Sequence, residues 1–122
     1  MGNVGSSKQR VYSDNDYQLA IEASKELEHI LAQDFKAYGQ GLHEMVSSVE
    51  RAIPTTTVRS IRYVATLRNR LIHDQEMRML PDRRVFIQNF DNALVELNVI
   101  INKRRLDAGG AQPFTAPQCV IF

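Results

Sequence analysis

An all-α protein, built as an up-and-down bundle of four helices, is what the sequence predicts, and three observations predict it. In four separate stretches apolar residues recur three and four positions apart, the spacing of a helix with one buried face. No stretch alternates apolar and polar residues with the period of two that marks a strand, and no internal repeat is visible. Gly39-Gln40-Gly41, Pro54 and Pro81 punctuate the chain between those stretches rather than within them.

Taken in order, Met1–Tyr12 is rich in Gly and Ser and reads as a flexible lead-in, with order beginning near Ser13. Asp14 is the expected N-cap of a long first helix, along which Tyr17, Ala20, Ile21, Ser24, Leu27, Leu31, Phe35 and Tyr38 recur until Gly39 ends the run. After the glycine turn, Leu42, Met45, Val46, Val49 and Ile53 make a shorter helix that stops before Pro54. So tight a connection predicts antiparallel packing of the two. Thr55, Thr56 and Thr57 offer cap hydroxyls to a third helix that runs to about Asp74. Gln75–Pro81 breaks the pattern, and Asp82 can cap a fourth helix striped by Phe86, Phe90, Ala93, Leu94, Leu97, Ile100 and Ile101. Lys103, Arg104 and Arg105 suit the negative end of that helix's dipole. Met77 and Met79 are expected to plug the end of the bundle.

With 122 residues, 43% of them hydrophobic, the chain is the size of one domain with a usable core. The expected organisation is a lead-in over 1–12, the helical domain over 13–106 and a tail over 107–122. No apolar run reaches the roughly 18 residues of a membrane span, and MGNVGSSKQR lacks the apolar segment of a secretory signal, so a cytoplasmic location is expected. Cys119 is the single cysteine, which rules out an internal disulfide and leaves no Cys cluster for zinc; neither a metal nor a cofactor is expected. Two short motifs sit at the ends: Gly2 with Ser6 fits an N-myristoylation pattern, and Cys119-Val120-Ile121-Phe122 fits a C-terminal prenylation box. The plainer expectation is a loose start and an apolar end that packs on the bundle or a partner, with no membrane involved.

Charge is distributed unevenly although the net is only +1. Val11–Thr57 holds eight acids against three bases, whereas Val58–Arg84 holds seven bases, all arginine, against three acids. Arginine is suited to bidentate contact with phosphate, and a solvated basic face opposite an acidic helix gives the same balance. On the third helix, at about 100° per residue, Val58, Ile61, Val64, Ala65, Leu71 and Ile72 share one face and Arg68 lands near its middle. A charge there needs a buried carboxylate, a subunit interface or an anionic ligand.

Around that residue the chain reads Arg68-Asn69-Arg70-Leu71-Ile72-His73. This string resembles the signature of HEPN domains, small all-helical modules marked by an Arg, four to six further residues and a His, with a polar residue often directly after the Arg. The resemblance covers the motif, the chain length and the helix order. It implies a homodimeric ribonuclease that needs no metal, in which a 2′-hydroxyl attacks the adjacent phosphate and leaves a 2′,3′-cyclic phosphate and a 5′-hydroxyl. Under it, His73 is the general acid or base, Arg68 stabilises the phosphorane charge, and Asn69 orients His73 or the phosphate. Family members serve in toxin–antitoxin, phage-defence and RNA-processing systems, so RNA and an antitoxin or other regulatory protein are the implied partners.

The residue types suit that chemistry on their own terms: RNA transesterification without a metal needs a proton carrier near neutral pH and a fixed cation on the phosphate oxygens. Five residues apart, Arg68 and His73 lie about 140° round an ideal helix, too far for one helix to aim both at one atom. Packing two Arg68 faces about a two-fold axis places both pairs in one cleft. Arg62, Asn69 and His73 share an edge with Arg59 and Arg70 somewhat further round, a basic track for RNA. The structural alternative has Asn69 and His73 capping the helix and Arg68 paired with Glu22, Glu26 or Glu28; a non-catalytic dimer binding nucleotide, RNA or protein, and a lipid-anchored adaptor, are the rival functions. His29 and His43 are expected to be solvated, and Tyr63 to be an ordinary core or interface residue.

Overall fold

The computed structural model describes residues 11–110, and among them every regular element is helical. The order is α1 (Asp16–Phe35), α2 (Leu42–Val49), a 3₁₀ turn (Glu50–Ala52), α3 (Thr55–His73) and α4 (Arg83–Gly110). α3 packs on each of the other three helices, most extensively on α4 and α1. One apolar core lies between them, with Leu27, Leu31, Val46, Ile61, Val64, Phe86, Phe90 and Leu97 nearly or fully enclosed. No helix of the described residues is long and apolar enough to cross a membrane.

The helix ends are where the sequence pattern and the structure differ. Asn15, not Asp14, caps α1: its side-chain oxygen accepts from the Gln18 N–H at 3.0 Å. The two residue types are near-equivalent caps, so only the register of the buried face chooses between them. At its other end α1 stops at Phe35, four residues short of Gly39, because Lys36 takes a left-handed conformation with φ 59° and the Ala37 N–H closes on the Leu31 carbonyl at 3.0 Å. Tyr38 is consequently exposed. Gly39 belongs to the connection, where a Cβ would stand 2.6 Å from the Cβ of Glu44.

α2 ends at Val49 and tightens into the 3₁₀ turn before Pro54, whose ring holds the preceding Ile53 extended at φ −129°, ψ 138°. The threonines do not cap α3. Pro54 occupies the cap position with no side-chain hydrogen bond there, and Thr57 is buried with its hydroxyl unpaired. On the same helix Leu67 is buried, which the apolar stripe did not include, and Ile72 is 42% exposed in the last turn. Asp82 does cap α4, accepting from the Val85 N–H at 3.2 Å. Its buried stripe is Phe86, Phe90, Ala93, Leu94 and Leu97, with Ile100 and Ile101 packed at the margin. Because α4 runs on to Gly110, past the boundary expected at 106, Lys103 to Arg105 are not in its last turn. Arg104 instead reaches across to α1, its guanidinium 4.7 Å over the Phe35 ring and donating to the Asp34 carbonyl.

Tyr12, the last residue of the expected lead-in, is anchored to α4. Tyr12 packs edge-on against Phe90, with ring centroids 6.4 Å apart, and donates to the Asp91 carboxylate. Of the two methionines expected to plug the bundle end, Met77 packs at the core margin while Met79 is 67% exposed. Leu80 takes that place, buried and fixed through its N–H to Asp16 Oδ2 at 2.8 Å. The other Asp16 oxygen accepts from Arg83 Nη1 at 2.5 Å, so one carboxylate joins the start of α1 to both the 74–82 loop and α4. Asp16→Ala is expected to destabilise the protein by about 2 to 3 kcal/mol, since it removes two hydrogen bonds to a charged group and leaves the part-buried Arg83 guanidinium with the Ser13 carbonyl but without its carboxylate. Urea denaturation followed by circular dichroism measures it, and a loss below about 0.5 kcal/mol, the size of an ordinary surface substitution, contradicts the role.

Candidate functional site

Seen down α3, the buried side chains cover roughly half the circumference, and Arg68 falls near the centre of that arc. Its neighbours on the arc, Ile61, Val64 and Leu71, are almost fully enclosed, yet Arg68 is only half-buried. The space that admits it is a pocket of about 200 Å³ between α1, the start of α2 and α3. Ser24 and Glu28 of α1, Gly41 and His43 beside the α2 start, and Arg68 and Asn69 of α3 line it. Pockets that hold drug-sized molecules begin at roughly 300 Å³, so this one suits a single phosphate or sugar group rather than a whole nucleotide.

The guanidinium in this pocket lacks the carboxylate that a structural arginine would have. Ion pairs join Arg62 to Glu50, Arg70 to Asp74 and Arg83 to Asp16, whereas among the described residues no carboxylate oxygen lies within 4.0 Å of Arg68. The expected structural pairing with Glu22, Glu26 or Glu28 is therefore not formed. Arg68 Nη1 donates to Asn69 Oδ1 at 2.9 Å, which holds the fork in place without neutralising it. On the opposite wall the Ser24 hydroxyl, itself buried, lies 3.4 Å from Glu28 Oε2. Cation and carboxylate thus share one small pocket without touching.

His43 is not the solvated residue its position after a turn suggests. It is half-buried, with Nδ1 3.3 Å from Arg62 Nη1 and Nε2 3.3 Å from the Thr66 hydroxyl. An arginine only donates, so Nδ1 must be the accepting nitrogen, Nε2 carries the proton, and the ring is neutral. Burial, and then the charge of Arg62, hold its pKa below the ordinary 6.5. Below neutrality the unfolded chain accordingly binds more protons at this site than the folded one. The stability contributed is complete above about pH 6.5 and is lost as the pH falls through 6.5 towards the lower folded value. His43→Gln is expected to flatten this dependence; equal losses of urea midpoint in variant and native protein between about pH 7.5 and 5.5 would contradict it.

Arg62, expected on a basic track, spends its donors on α2 and the 3₁₀ turn after it: it bonds Ser47 Oγ at 2.7 Å as well as His43, and pairs with Glu50 at 3.6 Å. Arg59 is exposed, and Arg70 is exposed beside Asp74 at 3.8 Å. His73, the last residue of α3, is exposed and does not line the Arg68 pocket. Within one chain the structure therefore brings Arg68 and Asn69 together and leaves His73 outside. Tyr63 is half-buried at the core margin and His29 is exposed. Gly2 and Cys119 lie outside the described residues. No group of three or more His, Cys, Asp or Glu side chains placed to hold a metal ion occurs among the described residues.

Sequence pattern missed His43 and Ser24 as members of this site. His43 has a neighbour 19 residues away, invisible to local periodicity, and Ser24 reads there only as a small residue on the apolar stripe of α1. In comparisons with known proteins, no protein-family model, no curated protein and no solved structure matches this chain.

Proposed function

We propose that the chain is a HEPN-like, metal-independent endoribonuclease of the toxin, phage-defence or RNA-processing kind, a four-helix up-and-down bundle acting as a cytoplasmic homodimer. The observation that carries this reading is the half-buried Arg68, held by Asn69 in a phosphate-sized pocket where no carboxylate oxygen of the described residues comes within 4.0 Å of its guanidinium. A cation kept unpaired in such a place is poised for an anion, and the RNA phosphate is the anion that the Arg68-Asn69…His73 string implies. His73, exposed at the end of the same helix, reaches the scissile phosphate in a cleft shared with a second copy. In that cleft Arg68 stabilises the phosphorane, His73 carries a proton, and Asn69 fixes the guanidinium. Arg59, and Arg70 on leaving its exposed pair with Asp74, meet the RNA backbone, and a regulatory protein such as an antitoxin is the further partner.

A second reading, a non-catalytic HEPN-like dimer that binds nucleotide, RNA or a partner protein, draws on one observation: within a single chain His73 stands outside the Arg68 pocket. One experiment separates the two. Protein sedimenting at twice the 13.9 kDa chain mass is expected to cut single-stranded RNA in EDTA and leave 2′,3′-cyclic phosphate ends. A clean monomer at high concentration rejects the shared cleft, and a dimer that binds RNA without cutting it, with or without divalent metal, favours the binding module.

A further inference from the structure

The reaction proposed above needs two proton transfers, one away from the attacking 2′-hydroxyl and one onto the departing 5′-oxygen. Only one residue so far, His73, carries protons. Among the described residues, three ionisable side chains line the Arg68 pocket: Glu28, His43 and Arg68. Arg68 stays protonated throughout. His43 has both ring nitrogens engaged, Nδ1 towards the Arg62 donor and Nε2 towards Thr66, so its lone pair is turned away from incoming hydroxyls. Glu28 is different. The buried Ser24 donates towards one oxygen, Oε2, at the long distance of 3.4 Å, and among the described residues no cation sits within 4.0 Å of the carboxylate. It faces the same small volume as Arg68, the cation proposed to hold the phosphate.

We propose that Glu28 is the general base of this site. This rests on the ribonuclease reading and adds a catalytic residue to it from a different helix. With the phosphate on Arg68, the Glu28 carboxylate takes the proton of the 2′-hydroxyl as the O2′–P bond forms. The P–O5′ bond then breaks, and the His73 imidazolium of the second copy, across the shared cleft, gives its proton to O5′. The products are a 2′,3′-cyclic phosphate and a 5′-hydroxyl, and the enzyme ends with a protonated Glu28 and a neutral His73, which exchange protons with water before the next turnover. Ser24 is a positioning residue that holds the carboxylate against the α1 wall.

A substrate whose 5′-bridging oxygen is replaced by sulfur tests this directly, because a thiolate leaves without being protonated and so no longer needs the general acid. On ordinary RNA, Glu28→Gln and His73→Ala are both expected to slow single-turnover cleavage by about 10²- to 10⁴-fold. On the sulfur substrate His73→Ala is expected to recover and Glu28→Gln is not. Recovery of Glu28→Gln on the sulfur substrate overturns the assignment, making Glu28 the acid. Undiminished cleavage of ordinary RNA by Glu28→Gln, beside an inert His73→Ala, overturns the inference and leaves the ribonuclease reading standing. If the native protein cuts neither substrate, both fail. Should Glu28→Gln melt early by circular dichroism, Glu28→Asp, which keeps a shorter carboxylate, is expected to slow both substrates by the same factor, and unchanged rates in that variant overturn the inference equally.

Discussion

His73→Ala is expected to abolish RNA cleavage in EDTA while leaving the helical structure and the dimer intact. The two halves of this expectation have separate physical grounds. His73 ends α3 with its side chain exposed, and no described hydrogen bond or core contact depends on the imidazole. An exposed substitution of that kind changes stability by no more than about 0.5 kcal/mol. Removing a proton carrier from the reacting bonds costs about 10²- to 10⁴-fold in rate. Activity and folding are thus expected to part company, which a structural histidine cannot produce. The measurement is single-turnover cleavage of a labelled RNA, with thermal melting and sedimentation on the same preparations. A variant that melts early and cleaves at the native rate once folded would assign His73 to the helix end instead.

Much of the fold was legible in the sequence because its helices are long or sharply punctuated. α4 could be read from Asp82 to Leu97 since cap and stripe agree, and both survive in the structure. The end of α1 could not. Its closure depends on a lysine entering a left-handed conformation that sequence rules reserve for glycine, and Gly39 three residues on looked like the natural stop. α2 shows the same limit, since the switch from α to 3₁₀ before Pro54 changes which carbonyls are paired without changing the apolar spacing. For the site, the oddity of Arg68 follows from helical angle alone, whereas the pocket that accommodates it does not. That space is bounded by Ser24 and Glu28 of α1, Gly41 and His43 beside the α2 start and Arg68 of α3, a tertiary arrangement with no periodic signature.

Arg68 itself gives the other large expected effect. Arg68→Ala should abolish cleavage, through loss of the cation that meets the phosphorane charge, for which about 10²- to 10³-fold per well-placed donor is typical. A conservative exchange is not expected to help: lysine has no planar fork, so Arg68→Lys can neither bond Asn69 and grip two phosphate oxygens at once nor place its single charge where the guanidinium stood. Sequence alone predicts a stability penalty as well, from an acid left buried without its partner. The structure changes that expectation, because the described bond of the guanidinium is to Asn69 Oδ1 and no carboxylate is stranded when it goes. The remaining cost is one hydrogen bond, about 0.5 to 1.5 kcal/mol, and the packing of the aliphatic stem. Arg68→Met keeps most of that stem and should therefore unfold in urea close to the native midpoint while being as inactive as Arg68→Ala. A loss of about 3 kcal/mol or more in Arg68→Met, the mark of a broken buried ion pair, would show that the charge serves the fold. Near-native stability with no cleavage would show that it serves the phosphate.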